Sequence, residues 1–141
     1  MKEYATGSTI SAPPERVWAV LIDAAGYRDW NPEIIGIDGA FALGARITAH
    51  VRLGDGAVRL VPQRVVEFEP PRRMVWQGGL PLGLFVGRRT FTVTPVADGV
   101  EFHMHLRMSG PLSPMILKSV GDRQPEIDRF SAALKRRAEK P

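Results

Sequence analysis

From Ile34 to Ser109 apolar and polar residues alternate with a period of two, and from Leu112 onward the apolar residues recur every three or four positions instead. A run of half-buried strands followed by one amphipathic helix has few packing solutions, because the apolar face of the sheet needs a cover and that helix is the cover available. The strand run is punctuated by Asp38-Gly39, Asp55-Gly56 and Asp98-Gly99. Asp-Gly is a strong hairpin signal, since Gly accepts the positive φ that tight turns demand. Strands are expected near 34–39, 45–53, 57–69, 73–78, 85–96 and 99–109, joined by short turns into an antiparallel meander.

Ahead of the meander, residues 3–11 also alternate and read as a first strand, which makes seven. Ser11-Ala12-Pro13-Pro14-Glu15 then places proline and an acid where a first helical turn favours them, and Val17, Trp18, Val20, Leu21 and Ala24 follow at helical spacing. This short helix ends near Gly26, and a second turn from Tyr27 to Trp30 stops at Asn31-Pro32. At the other end, Leu112, Met115, Ile116, Val120, Ile127, Phe130, Leu134 and Ala138 share one stripe of a helix over about 113–139. Pro125 within it predicts a kink or a split. The expected fold is α+β, with two short helices between strands 1 and 2 and the long terminal helix lying across the sheet. With 141 residues, no repeat and no linker, residues 1–141 read as a single domain.

Composition narrows the chemistry. The absence of Cys excludes a disulfide framework, a thiol nucleophile and thiolate-ligated metal. A formal charge of +4 with a pI near 10.0 raises the question of nucleic acid. Four bases against one acid in residues 131–141 give a local +3, however, and leave only +1 for residues 1–130. Cations in the last turns of a helix meet its negative dipole end, so no nucleic-acid partner is expected. No apolar run approaches the ~18–20 residues of a membrane span, and the N-terminus lacks an apolar targeting core. The expectation is a cytoplasmic protein without stable membrane insertion.

Four segments, in this order and spacing, carry a family resemblance: Ser11-Ala12-Pro13-Pro14-Glu15-Arg16-Val17-Trp18-Ala19-Val20-Leu21, Trp30-Asn31-Pro32, Glu69-Pro70-Pro71-Arg72-Arg73-Met74-Val75-Trp76, and Ala133-Leu134-Lys135-Arg136-Arg137-Ala138-Glu139. Together they span nearly the whole chain. The sequence resembles the START/birch-pollen-allergen-like helix-grip superfamily (SRPBCC), in its bacterial polyketide cyclase/dehydrase-like branch. The resemblance implies a curved seven-stranded antiparallel sheet wrapped around the C-terminal helix, with a deep apolar cavity between them. Members bind sterols, lipids, hormones or polyketides, and some act as cyclases or chaperone co-activators, so the fold alone names no reaction.

Parity along the strands sorts the candidate site residues. In 99–109 the row Val100, Phe102, Met104, Leu106, Met108 opposes Glu101, His103, His105, Arg107, and in 45–53 His50 lies on the polar side with Arg46, Thr48 and Arg52. All three histidines are therefore expected on the outer sheet surface, and no catalytic or metal-binding residue is assigned. No nucleophile elbow or phosphate loop occurs, and Gly78-Gly79-Leu80-Pro81-Leu82-Gly83 reads as a strand connection at a cavity rim. Glu67 and Glu69 read as solvated acids.

Two arginines share parity with apolar neighbours: Arg89 with Phe85, Phe91 and Val93, and Arg64 with Leu60, Val66 and Phe68. An inward guanidinium needs a carboxylate, phosphate or carbonyl partner, which is either a ligand's polar head or a protein acid; a bulge that turns the arginine outward is the other solution. The expected ligand-binding set is Trp30, Val51, Leu60, Arg64, Trp76, Phe85, Arg89, Phe91, Phe102, Met104, Met115, Val120, Ile127 and Phe130, around a small hydrophobic molecule of lipid, polyketide or aromatic type and with no cofactor. Access would run past residues 79–86, the Trp30-Asn31-Pro32 turn and the break at 121–125. Two alternatives stand beside this carrier. One is a metal-free cyclase/dehydratase, which lacks an inward acid or base by parity, and the other is an interaction module such as a homodimer.

Overall fold

A computed structural model describes residues 1–141. Strand β1 (Lys2–Ile10) leads into α1 (Pro14–Ile22), a 3-10 turn at Ala24–Gly26 and α2 (Tyr27–Trp30). Strands β2 (Ile34–Asp38), β3 (Arg46–Arg52), β4 (Val58–Glu69), β5 (Arg73–Leu80), β6 (Phe85–Val96) and β7 (Gly99–Ser109) follow, and α3 (Ser113–Val120) and α4 (Gln124–Glu139) close the chain. The seven strands form one antiparallel sheet in the order β1-β7-β6-β5-β4-β3-β2. The meander is thus uninterrupted from β2 to β7, and β1 adds to its far edge.

The split of the terminal helix has a local cause. Gly121 takes φ 76°, a conformation that ends α3, and Pro125 sits in the first turn of α4, where its missing N–H costs nothing. The predicted stripe divides accordingly. Ile127, Phe130, Leu134 and Ala138 of α4 are buried, whereas Met115 of α3 is 57% exposed and Ile116 and Val120 are half-buried.

The inner face of the sheet follows the predicted parity in β7, where Val100, Phe102, Met104, Leu106 and Met108 are all buried. His103 and His105 lie on the opposite face of β7, and His50 reaches Asp38 at 2.9 Å on the outside of β3. Beneath α4 an aromatic cluster closes the grip. Trp76 stacks on Phe41 with centroids 5.2 Å apart and meets Phe91 at 4.8 Å, while Phe130 contacts Tyr27, Trp30, Phe91 and Phe102. Such pairs contribute about 0.5–1.5 kcal/mol each beyond the area they bury.

Along β4 the predicted parity fails. A bulge between Val65 and Glu67 shifts the register against β5, so Val65 and Phe68 both turn toward the core and Arg64 turns outward. Arg64 is exposed, paired in register with Arg46 on β3 and Gln77 on β5. The expectation that it faces a cavity is corrected: the extra residue in the strand puts Arg64 on the face opposite to Phe68.

Candidate functional site

The β4–β5 ladder joins residues 64–69 to 73–77; Gly78 still lies against the Pro62 carbonyl, and beyond it Val58–Val61 and Gly79–Leu80 are not paired with each other, which forks the sheet. Pro62, opposite Thr48 on β3, lies where β4 has no ladder partner on its β5 side. Behind the fork lies a cavity of about 240 Å³, walled by β3, β4, β5, β6, β7 and α3. Its volume is just below the range of roughly 300–1,000 Å³ for sites that enclose drug-sized ligands.

Among the fourteen residues expected to contact a ligand, Val51, Leu60, Phe85, Arg89 and Val120 line this cavity. Leu60 does so from the fork and is 59% exposed. Trp76, Phe91, Phe102, Met104, Ile127 and Phe130 instead have no exposed surface and fill the core under α4, with Trp30 packed against them. Met115 stands on the outer side of α3, and Arg64 lies beyond the sheet. Large side chains at inward positions therefore plug one half of the grip, and the empty half is walled by smaller or peripheral ones. Leu53, Val61, Leu80, Leu106, Met108 and Ile116 add to the apolar wall, with Gly87 on β6. Gly87 matters most, because a Cβ there would meet nothing closer than the Phe85 ring at 3.6 Å.

Arg89 does point inward, and it pairs with an acid of the protein. Its Nη1 and Nη2 donate to Glu33 Oε1 and Oε2 at 2.7 and 2.8 Å, a bidentate pair that is almost entirely buried. Arg123, in the break between α3 and α4, donates from Nη2 to Glu33 Oε2 at 2.9 Å and approaches the Arg52 carbonyl at 3.5 Å. The turn before β2 holds the acid in place: Asn31 Oδ1 accepts from the backbone N–H groups of Glu33 and Ile34, both at 2.9 Å, and the Glu33 carbonyl accepts from Arg52 N–H at 2.8 Å.

Burial alone would push the Glu33 carboxyl up. The charges and hydrogen bonds of Arg89 and Arg123 outweigh it and hold the group below the usual carboxylate range. Burial would likewise lower Arg89, but Glu33 keeps it firmly protonated. Tyr27 is fully buried, donates to the Leu21 carbonyl at 2.6 Å and has its phenol pushed far up, so it stays neutral.

Sequence reasoning missed Glu33 and Arg123. Glu33 follows Pro32 at the strand entrance, and Arg123 sits in an irregular break, so neither belongs to a periodic row. Arg89 and Arg123 line the cavity, and Glu33 lies behind them rather than on its wall. Two buried polar atoms on lining residues have no partner: Arg123 Nη1 and Gln63 Oε1.

A curved antiparallel sheet closed by a C-terminal helix, with an apolar cavity reached through the sheet, defines the helix-grip class of α+β proteins. The chain belongs to the family described as polyketide cyclase / dehydrase and lipid transport, whose model matches residues 1–139. No protein of curated function matches it significantly. Among solved structures it is similar to the Zhui aromatase/cyclase of a Streptomyces species (R1128), at 16% identity over 98% of this chain and 93% of that one, with a TM-score of 0.75. A START superfamily protein from Mycobacterium smegmatis gives 17% identity, 97% coverage of both chains and a TM-score of 0.73. Protein MLL2253 from Mesorhizobium loti gives 21% identity, 96% and 95% coverage and 0.72. No helix is long and apolar enough to cross a membrane.

Proposed function

We propose that this protein binds and carries a small, mainly apolar molecule in the cavity beneath α3. The observation that supports this reading is a walled apolar space behind a fork in the sheet, in a domain whose other half is filled by aromatic side chains. At roughly 25 cal/mol per Å², burying about 300 Å² of ligand surface is favourable by about 7 kcal/mol before the costs of association, which corresponds to affinities in the micromolar range or weaker.

A cyclase needs a group that removes a proton next to a ketone. Glu33 is the buried inward acid such a reading asks for, and the aromatase/cyclase in the comparison has the same fold. Both its oxygens are engaged by guanidinium groups that depress its basicity, and it stands behind the arginines. Carriage is therefore the better-supported role.

The test is binding of the neutral dye N-phenyl-1-naphthylamine, followed by fluorescence, to the wild type and to Gly87→Leu. Saturable binding to the wild type that Gly87→Leu abolishes is expected. Failure of the wild type to enhance the dye, together with no small molecule retained in native mass spectrometry, overturns carriage.

A further inference from the structure

The large apolar side chains that meet solvent are not scattered over the molecule. Six of the nine that are well exposed, Val58, Leu60, Leu80, Leu82, Leu84 and Met115, stand around the forked end of the sheet, where α3 begins. Single exposed apolar residues are ordinary, whereas a cluster of them marks a surface that meets something. The connection between β5 and β6 forms its tip, and the Leu112 N–H ahead of α3 donates to the Leu84 carbonyl at 2.9 Å. Leu82, at the apex, is 97% exposed and takes φ 60° and ψ 24°. It is the only residue other than glycine with a positive φ in the chain. A left-handed leucine is strained, and a glycine would make the same turn without strain. A side chain this exposed adds nothing to the core, so folding gives no reason for the leucine.

Charge follows the same geography. Residues 56–66, 70–97 and 102–121, which include every segment of this end, contain no Asp or Glu. Arg59 at the cavity mouth is exposed, and so is Lys118, which shares a side of α3 with Met115. The nearest acids in sequence, Asp55 and Asp122, accept from the backbone N–H groups of Ala57 and Gln124 at 2.9 and 3.0 Å. The basic tail of α4 lies at the other end of the sheet, where Lys135 donates to the Thr9 carbonyl.

We infer that the forked end docks on an anionic lipid bilayer, with Leu82 and its neighbours seated among the headgroups and Arg59 and Lys118 beside the phosphates. A fluid bilayer accepts a protruding side chain without a matching pocket, and bases around an apolar tip add attraction to anionic lipid. A second copy of the chain fits less well, because a two-fold contact would set this acid-free surface against itself. Docking brings the cavity mouth, lined by Leu60 and Leu80, onto the bilayer, where an apolar cargo exchanges without crossing water.

The test is co-sedimentation of the full chain with vesicles of phosphatidylcholine alone and of phosphatidylcholine mixed with phosphatidylglycerol. The wild type should pellet with the anionic vesicles, and less so as salt is raised. Leu82→Asp should weaken that binding by at least about tenfold, because a charge replaces the apolar tip. Leu82→Gly should weaken it as well while keeping or raising Tm, since glycine accepts the φ of 60°. Arg136→Glu combined with Arg137→Glu, in the distant tail, should stay within about twofold of the wild type. No sedimentation with anionic vesicles overturns the inference, and so does sedimentation that Leu82→Asp leaves unchanged. A mass that doubles with concentration through Leu82, without vesicle binding, assigns the surface to a second copy and overturns it too. Leu82→Asp should bind N-phenyl-1-naphthylamine as the wild type does. Loss of docking therefore leaves carriage standing, and a wild type that docks but binds no dye overturns carriage alone.

Discussion

Replacing Glu33 by Gln changes one oxygen to an amide nitrogen at nearly constant volume, and it leaves two buried guanidinium groups without their only carboxylate. Breaking a buried ion pair by removing one partner costs about 3–5 kcal/mol, because the remaining charge is neither hydrated nor matched. With unfolding entropy near 2.1 cal/mol/K per residue, a chain of this length changes its free energy by about 0.3 kcal/mol per degree at the midpoint. The expected fall in Tm is therefore about 10–17 °C, read by circular dichroism or calorimetry, with a matching fall in urea midpoint at unchanged slope. The pH dependence carries the same signature. A carboxyl whose folded pKa is depressed contributes stability that is present above its unfolded value of about 4.3 and is lost as pH falls through the lower folded value. The wild type should thus lose more stability than Glu33→Gln between about pH 5 and pH 3, and the two curves should converge in acid. A loss under 1 kcal/mol at pH 7, or parallel pH curves, would show that Glu33 is not the counter-charge of the two arginines.

Three further outcomes follow from packing and backbone. Phe130→Ala removes the ring shared by Tyr27, Trp30, Phe91 and Phe102 and should cost about 3–5 kcal/mol in urea denaturation, because the surrounding aromatics cannot collapse into the space. Gly99→Ala should destabilise by more than about 2 kcal/mol, since Gly99 has φ 151° and a Cβ there would stand 2.1 Å from the Ile10 carbonyl oxygen; an unchanged denaturation midpoint would refute that geometry. Arg64→Ala should change neither stability by more than about 0.5 kcal/mol nor dye binding, as expected of an exposed side chain beyond the sheet, and a loss of binding would place Arg64 back at the cavity.

The fold was legible because its signals are local and repeated. The alternation of Val100 to Met108 identifies the inner face of β7 without knowledge of its neighbours, and Gly121 with Pro125 marks the divided terminal helix by backbone chemistry alone. Arg64 shows where local pattern runs out. Its row with Val66 and Phe68 holds only if β4 is regular, and the bulge at Val65–Glu67 leaves no trace in the residue types. The aromatic residues illustrate a second limit. Parity says that Trp76, Phe91, Phe102 and Phe130 face inward, which they do, but whether an inward ring lines a space or fills it depends on what sits opposite. Here α4 sits opposite them, and α3 sits opposite the smaller residues near the fork.

The buried ionic group was half legible for a related reason. Arg89 announced itself as a charge in an apolar row, and its parity required some partner. That partner lies 56 positions away in the sequence, in a turn shaped by Asn31, and the second arginine comes from the break between two helices another 34 residues further on. Neither is detectable by period, yet the charge balance constrains both. One inward arginine would be satisfied by one acid, and an apolar replacement of such a pair often stabilises a protein. A second guanidinium on the same carboxylate, with a nitrogen left over, adds desolvation that Glu33 alone does not offset. Glu126, buried in the first turn of α4 three residues beyond Arg123, brings the buried acids to two against two guanidinium groups, so the least regular segments of the chain, the Asn31 turn and the α3–α4 break, hold a balanced ionic set beside the one part of the grip that is not filled.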